Sequence, residues 1–193
     1  MPPRNLQIST ESAISSISSP PDFSPQTLFS AAGFQSESEF TAFVLTTLEE
    51  RHRPASLESD SYFVDVPRDW GKVVFFAVEQ SCEFRILRKT WNAVAQILRF
   101  RMPNPGHTCV QSWLGACKED WLFTGAPTQT KMTSLNVVTG ISLELPHSLY
   151  SSSVKEPDAT IFPDGYDLRP ANAFEAGWSE TADGLDADAE MLL

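Results

Sequence analysis

Three carboxylates in the last quarter of the chain, Glu156, Asp158 and Glu175, have the types and spacing to hold a hard divalent cation. In Glu156-Pro157-Asp158 the residue before proline is pushed towards extended backbone, and residues two apart in a strand share a face, so Glu156 and Asp158 are expected to point the same way. Further on, strand alternation places Ala173, Glu175 and Gly177 on one face and Phe174, Ala176 and Trp178 on the other, which makes Glu175 an acid inside an otherwise apolar strand. Carboxylates on neighbouring strands that converge at one end of a sheet suit Mg²⁺, which keeps several waters and takes substrate phosphate as a further ligand. The chemistry this implies is phosphodiester hydrolysis. Spacing alone favours a plainer role, with Asp158 ending a strand near a turn and Glu175 salt-bridged or facing solvent.

Other constellations are weaker. His107, Cys109 and Cys117 fall short of the four well-spaced ligands of a structural zinc site, and Cys117 fits the apolar face of a helix, so core packing is the favoured reading. His107 suits a capping role at the start of that helix, and His52 and His147 sit in polar or proline-containing stretches. No GxSxG elbow supports a Ser-His-Asp hydrolase. The five tryptophans, Trp70, Trp91, Trp113, Trp121 and Trp178, are dispersed, and packing explains them better than base stacking.

The elements that must position the acids emerge from composition and periodicity. Apolar residues make up 41% and charged residues 20% of 193, a mix suited to one globular domain plus a tail. Asp and Glu outnumber Lys and Arg by 25 to 14, so no global field draws the chain to phosphate backbones, and nucleic-acid binding would need a local basic patch. Three cysteines without a CxxC pair point to free thiols in a reducing compartment, hence an intracellular protein, cytoplasmic or nuclear. No apolar run approaches the roughly 18 residues that cross a bilayer, and no membrane partner is expected.

Residues 1–33 are rich in Ser and Pro and are expected to form a disordered leader, with residues 34–193 as the domain. Ser36 and Glu39 have capping-box spacing, and Phe40, Phe43, Val44 and Leu48 follow at helical intervals. Residues 51–61 are expected as a loop, and Val73–Val78 as a short buried strand. Phe84, Leu87, Trp91, Val94 and Leu98 recur every three or four residues, which predicts a helix, whereas Gln96–Met102 also reads as a strand. Asn104 and Pro105 make a cap and first turn for a helix whose face carries Val110, Trp113, Leu114, Cys117 and Trp121 and which ends before Gly125. Ser134–Leu145, Lys155–Phe162 and Ala171–Trp178 are expected strands. Asp183 caps a short final helix with Leu185, Ala189 and Leu192 on one face.

The run KEPDATIF, a turn and then AFEAGWSET resembles the fungal branch of the PD-(D/E)XK nuclease-like superfamily, in which a PDA(S/T) strand is followed by an EV(G/A)(Y/W)S(E/Q) strand. Upstream, ILRFRMPNPGH is similar to the strand, RMP turn and histidine that precede the first core helix of that branch, and this favours a strand at Gln96–Met102. The resemblance covers about a third of the chain, in the family's order. It implies an α/β fold: a three-layer restriction-endonuclease-like core with a mixed central sheet, here without its closing strand. It implies Asp158 and Glu175 as ligands of Mg²⁺, with Glu156 as an auxiliary acid.

The family's catalytic lysine falls on Gly177, which cannot orient an attacking water or stabilise charge developing on phosphate, a gap common in this branch. Lys155 is the nearest substitute, but regular alternation turns it away from Glu156 and Asp158, and no Lys or Arg follows Arg169. Two functions follow as expectations: a metal-dependent phosphodiesterase of weak or no activity, or a non-catalytic binding or scaffolding protein that retains the fold. The absent lysine, the acidic segment GLDADAEMLL and the absent closing strand favour the second; a degenerate protein and a truncated gene model both remain open. Nucleic acid is a candidate partner that the net charge does not support, and no protein partner is indicated.

Overall fold

The computed structural model describes residues 27–51, 60–103, 105–125, 128–145, 149–165, 169–176 and 182–192. Their strands build a mixed six-stranded sheet and a three-stranded antiparallel sheet, with helices packed against both. The larger sheet has the order β1-β2-β4-β3-β7-β6, where β1 is Thr27–Ser30, β2 Ser61–Val64, β3 Arg88–Asn92, β4 Ile97–Arg101, β6 Leu143–Glu144 and β7 Val154–Lys155. Only β1 and β2 run parallel in it. The smaller sheet has the order β5-β8-β9, with β5 at Leu135–Val138, β8 at Ala159–Pro163 and β9 at Asn172–Phe174.

The main core lies between the larger sheet and two helices, α1 (Glu37–Arg51) and α2 (Arg68–Gln80). The first begins as its spacing predicts: Ser36 Oγ accepts the Glu39 N–H, and the Glu39 carboxylate reaches back to the Gln35 N–H. It buries Phe40, Val44, Thr47 and Leu48. The strand expected at Val73–Val78 is instead the second half of α2. Its buried residues Gly71, Val74, Phe75 and Val78 recur at 3.6-residue intervals, whereas Val73 is exposed, so the continuous apolar run conceals an amphipathic stripe. Gly71 lies against the Trp91 indole, where any Cβ would overlap the ring.

The helix predicted by the spacing from Phe84 to Leu98 is a hairpin of β3 and β4, in agreement with the strand expected at Gln96–Met102. Trp91 and Leu98 are direct cross-strand partners, so their seven-residue separation reflects the hairpin register and not two helical turns. Asn92 Oδ1 accepts the N–H groups of Val94 and Ala95, and Gln96 takes φ 57°, which turns the chain.

The leader boundary at residue 33 also shifts. Thr27–Ser30 pairs with β2, Ala31–Gly33 makes a 3₁₀ turn, and Phe29 stacks on Phe63 at 5.1 Å; residues 1–26 lie outside the described residues. The helix α3 (Pro105–Thr124) forms where expected and sets Leu114 on Ala159 and Ile161 of the smaller sheet, but Trp113, expected on the same apolar face, is largely exposed. A five-residue helix, α4 (Gln129–Thr133), leads into β5. The last helix, α5 (Ala182–Leu192), turns Asp188 and Met191 inwards, while Ala189 is exposed, against the face expected for it. Among the described residues no helix is long and apolar enough to cross a membrane.

Two of the expected strands divide. Ser134–Leu145 supplies β5 to one sheet and β6 to the other, and Lys155–Phe162 breaks at Pro157 into β7 and β8. The Glu156 N–H donates to Lys89 O in the larger sheet at 3.0 Å, and the Asp158 N–H donates to Phe174 O in the smaller at 3.1 Å. Pro157 between them has no N–H to give either ladder, so the chain changes sheets there without stranding a donor.

Candidate functional site

The crossover positions the acids. Ala159 pairs with Phe174, so Asp158 and Glu175 are the next residues outward on β8 and β9, side by side at one end of the smaller sheet. Asp158 is fully buried and accepts the Ala176 N–H at 2.8 Å, which fixes it beside the Glu175 backbone. The Glu175 side chain is only 6% exposed, and neither of its oxygens accepts a hydrogen bond from a described residue. The structure thus brings two of the three candidate acids together. Glu156 is drawn elsewhere: its carboxylate takes Arg88 Nη1 at 2.6 Å and Lys89 Nζ at 2.8 Å.

The cations come mostly from an unexpected place. In the larger sheet, Tyr62, Arg99, Thr90 and Lys155 lie in one cross-strand row, and Arg101 pairs with Arg88 two residues along. Residues two apart in a strand share a face, so Arg88, Arg99, Arg101 and Lys155 line one face of β4-β3-β7. Lys155 does alternate away from Glu156, as expected, yet that direction brings its Nζ to 3.2 Å from Glu175 Oε1 and 2.9 Å from Asp188 Oδ1. Arg101 lies 3.8 Å from Glu175, and Arg88 Nε lies 3.6 Å from Asp158. Arg99 holds Asp60 at 2.6 Å and reaches Asp188 at 3.5 Å.

These pairs join five basic side chains to five carboxylates, so the interior assembly is balanced although the chain is strongly acidic. Desolvated charges survive in a protein only when paired in this way. Glu175 still shows the strain. Burial raises its pKa to about 7; Lys155 and Arg101 oppose the rise, while the neighbouring Asp158 and Asp188 add to it. The Asp158 carboxylate beside it therefore works against the ionisation of Glu175 and favours its protonated form.

A cation would relieve this repulsion, and two adjacent carboxylates are the ligand number Mg²⁺ usually takes from protein. Asp158 and Glu175 fit such a role as a pair; among the described residues no group of three or more His, Cys, Asp or Glu is placed to hold a metal ion. Gly177, Trp178, His52 and His147, and the side chain of His107, lie outside the described residues. Cys109 is exposed and Cys117 half-buried, so neither packs as a core thiol.

Sequence reasoning missed Arg88, Arg99, Arg101 and Asp188. The signal for the arginines was the alternation of Arg99 and Arg101 with Leu98 and Phe100, which a helical reading hides. For Asp188 no sequence signal distinguishes it from Asp183 and Asp186. Comparison with models of known families, with curated proteins and with solved structures finds no match to this chain.

Proposed function

We propose that this is an intracellular nuclease-like protein of the PD-(D/E)XK type, with a three-layer restriction-endonuclease-like core, in which Asp158 and Glu175 bind Mg²⁺ weakly and phosphodiester hydrolysis is slow or absent. The observation that carries the reading is the meeting of Asp158 and Glu175 at adjoining strand ends with the Lys155 ammonium 3.2 Å from Glu175. The two acids are what the resemblance implies, and Lys155 on β7 brings beside them a cation that Gly177 cannot supply. When bound, Mg²⁺ would polarise the phosphoryl oxygen and activate water.

Weak activity follows from what already surrounds those groups. Lys155 is 1% exposed and shared between Glu175 and Asp188, so its charge is spent inside the protein before a phosphate arrives. Glu156 is neutralised by Arg88 and Lys89 and acts here by holding Arg88 next to Asp158. A preorganised cation withdrawn from the transition state typically costs ~10²- to 10³-fold in rate. The same internal neutralisation favours the second reading, a non-catalytic binding or scaffolding protein.

Cleavage assays with Mn²⁺ and Mg²⁺ on single- and double-stranded DNA and RNA test the proposal. Trace metal-dependent cleavage that Asp158→Asn and Glu175→Gln both remove is the expected result. Cleavage unaffected by either substitution would exclude these acids, and complete inactivity with intact metal binding would select the scaffolding reading.

A further inference from the structure

Among the described residues, the basic row on the larger sheet is a local patch of the kind an acidic protein would need to hold phosphate, and it is covered. Arg99 and Lys155 flank Thr90 on neighbouring strands, and the Asp188 carboxylate sits between them, 3.5 Å from Arg99 Nη1 and 2.9 Å from Lys155 Nζ. A guanidinium and an ammonium converging on one pair of oxygens is an arrangement that takes phosphate as readily as carboxylate. The anion placed there belongs to α5. Of residues 185–192 only Asp188 and Met191 are buried, and the exposed Glu190 accepts a long 3.3 Å bond from the Tyr150 hydroxyl.

We propose that Asp188 occupies a phosphate seat formed by Lys155 and Arg99, and that α5 is an autoinhibitory cap which a phosphorylated ligand must displace. This deepens the reading of Asp158, Glu175 and Lys155 as a phosphodiester site: the seat adjoins Glu175 through Lys155, so a phosphate held there lies next to the acid pair. Neither basic group would be stranded when the cap leaves, because Lys155 keeps Glu175 and Arg99 keeps Asp60. The displaced carboxylate regains water, which offsets part of the cost of opening.

The test compares full-length parent, Asp188→Asn and Asp186→Asn, the last removing one exposed charge from the same helix, for binding of a labelled single-stranded oligonucleotide at low salt with EDTA present. Asp188→Asn should bind on the order of tenfold more tightly with a steeper salt dependence, Asp186→Asn should stay near the parent, and Lys155→Gln added to Asp188→Asn should abolish the gain. Competition by inorganic phosphate at millimolar levels would identify a seat for a single phosphate group; its failure, with the oligonucleotide still gaining, would identify a polymer backbone as the ligand. Equal gains in both Asp variants, or none in either, would overturn the cap. Should Asp188→Asn fail to fold, the parent decides: phosphate should speed amide exchange in Leu185–Leu192, and unchanged exchange would refute the proposal. Because EDTA is present throughout, failure of the metal site and failure of the cap give different results.

Discussion

Replacing Lys155 with methionine is expected to destabilise the protein by about 3–5 kcal/mol near pH 8, the range found when one partner of a buried ion pair is removed. Lys155 is the direct counter-ion of both Glu175 and Asp188 in a setting almost without water, and Arg101 at 3.8 Å is a poor substitute for it. Without the ammonium, Glu175 would hold its proton to still higher pH, so the loss should shrink when the medium is acidic enough to keep that group neutral. Urea unfolding of parent and variant at pH 5.5 and pH 8 measures both effects. Adding Glu175→Leu to Lys155→Met should recover part of the stability, since removing a buried pair together costs less than orphaning one member. A loss under 1 kcal/mol at pH 8 would mean that water reaches the cluster and the pairing is a surface interaction.

The second large effect is the pH dependence that Glu175 imposes on stability. Its folded pKa of about 7 stands above the ordinary 4.5, chiefly through burial. Between those values the folded chain retains a proton that the unfolded chain has released, so stability contributed by this group is fully present below about pH 4.5 and falls as pH rises through 7. The change amounts to about 3 kcal/mol across the window. Metal-free parent protein should therefore lose urea resistance from pH 5 to pH 8 beyond what its other groups cause, and Glu175→Gln should remove that component. Parallel pH profiles for parent and variant would show that Glu175 ionises normally and that the acid pair is better solvated than its burial implies.

Both effects arise from parts of the molecule that were unevenly legible in the sequence. The helices at Glu37 and Pro105 were readable because their caps and apolar spacing agree, and each signal is local. Val73–Val78 was not, because six consecutive apolar residues contain both a strand and a helix stripe; the choice was made by Trp91 packing on Gly71, a tertiary contact. Likewise the 3-4 spacing through Trp91 and Leu98 is satisfied equally by two helical turns and by a hairpin with a four-residue loop.

For the site, parity within a strand could give Glu175 a face but could not match it with Asp158, because which residues meet across strands is set by the register of β8 on β9. It failed at Glu156, because the parity argument assumes one continuous strand and Pro157 carries the chain from one sheet to another. Along the motif itself Lys155 is the nearest cation. Arg88, Arg99 and Arg101 come from a hairpin more than fifty residues earlier, joined to β7 by a pairing that no local pattern encodes. Asp188 shows the same limit from the other side: in an acidic helix, which carboxylate turns inwards is decided by the basic face it meets.

That Asp158 and Glu175 together form a weak divalent-cation site is open to direct test by calorimetric titration of metal-free protein with Mn²⁺. The parent should take up one Mn²⁺ weakly, more tightly at pH 8 than at pH 6 as Glu175 gives up its proton, and Asp158→Asn and Glu175→Gln should each abolish the binding heat. Binding of Mn²⁺ that is undiminished in both variants, or no binding by the parent at pH 8 with millimolar metal, would contradict it.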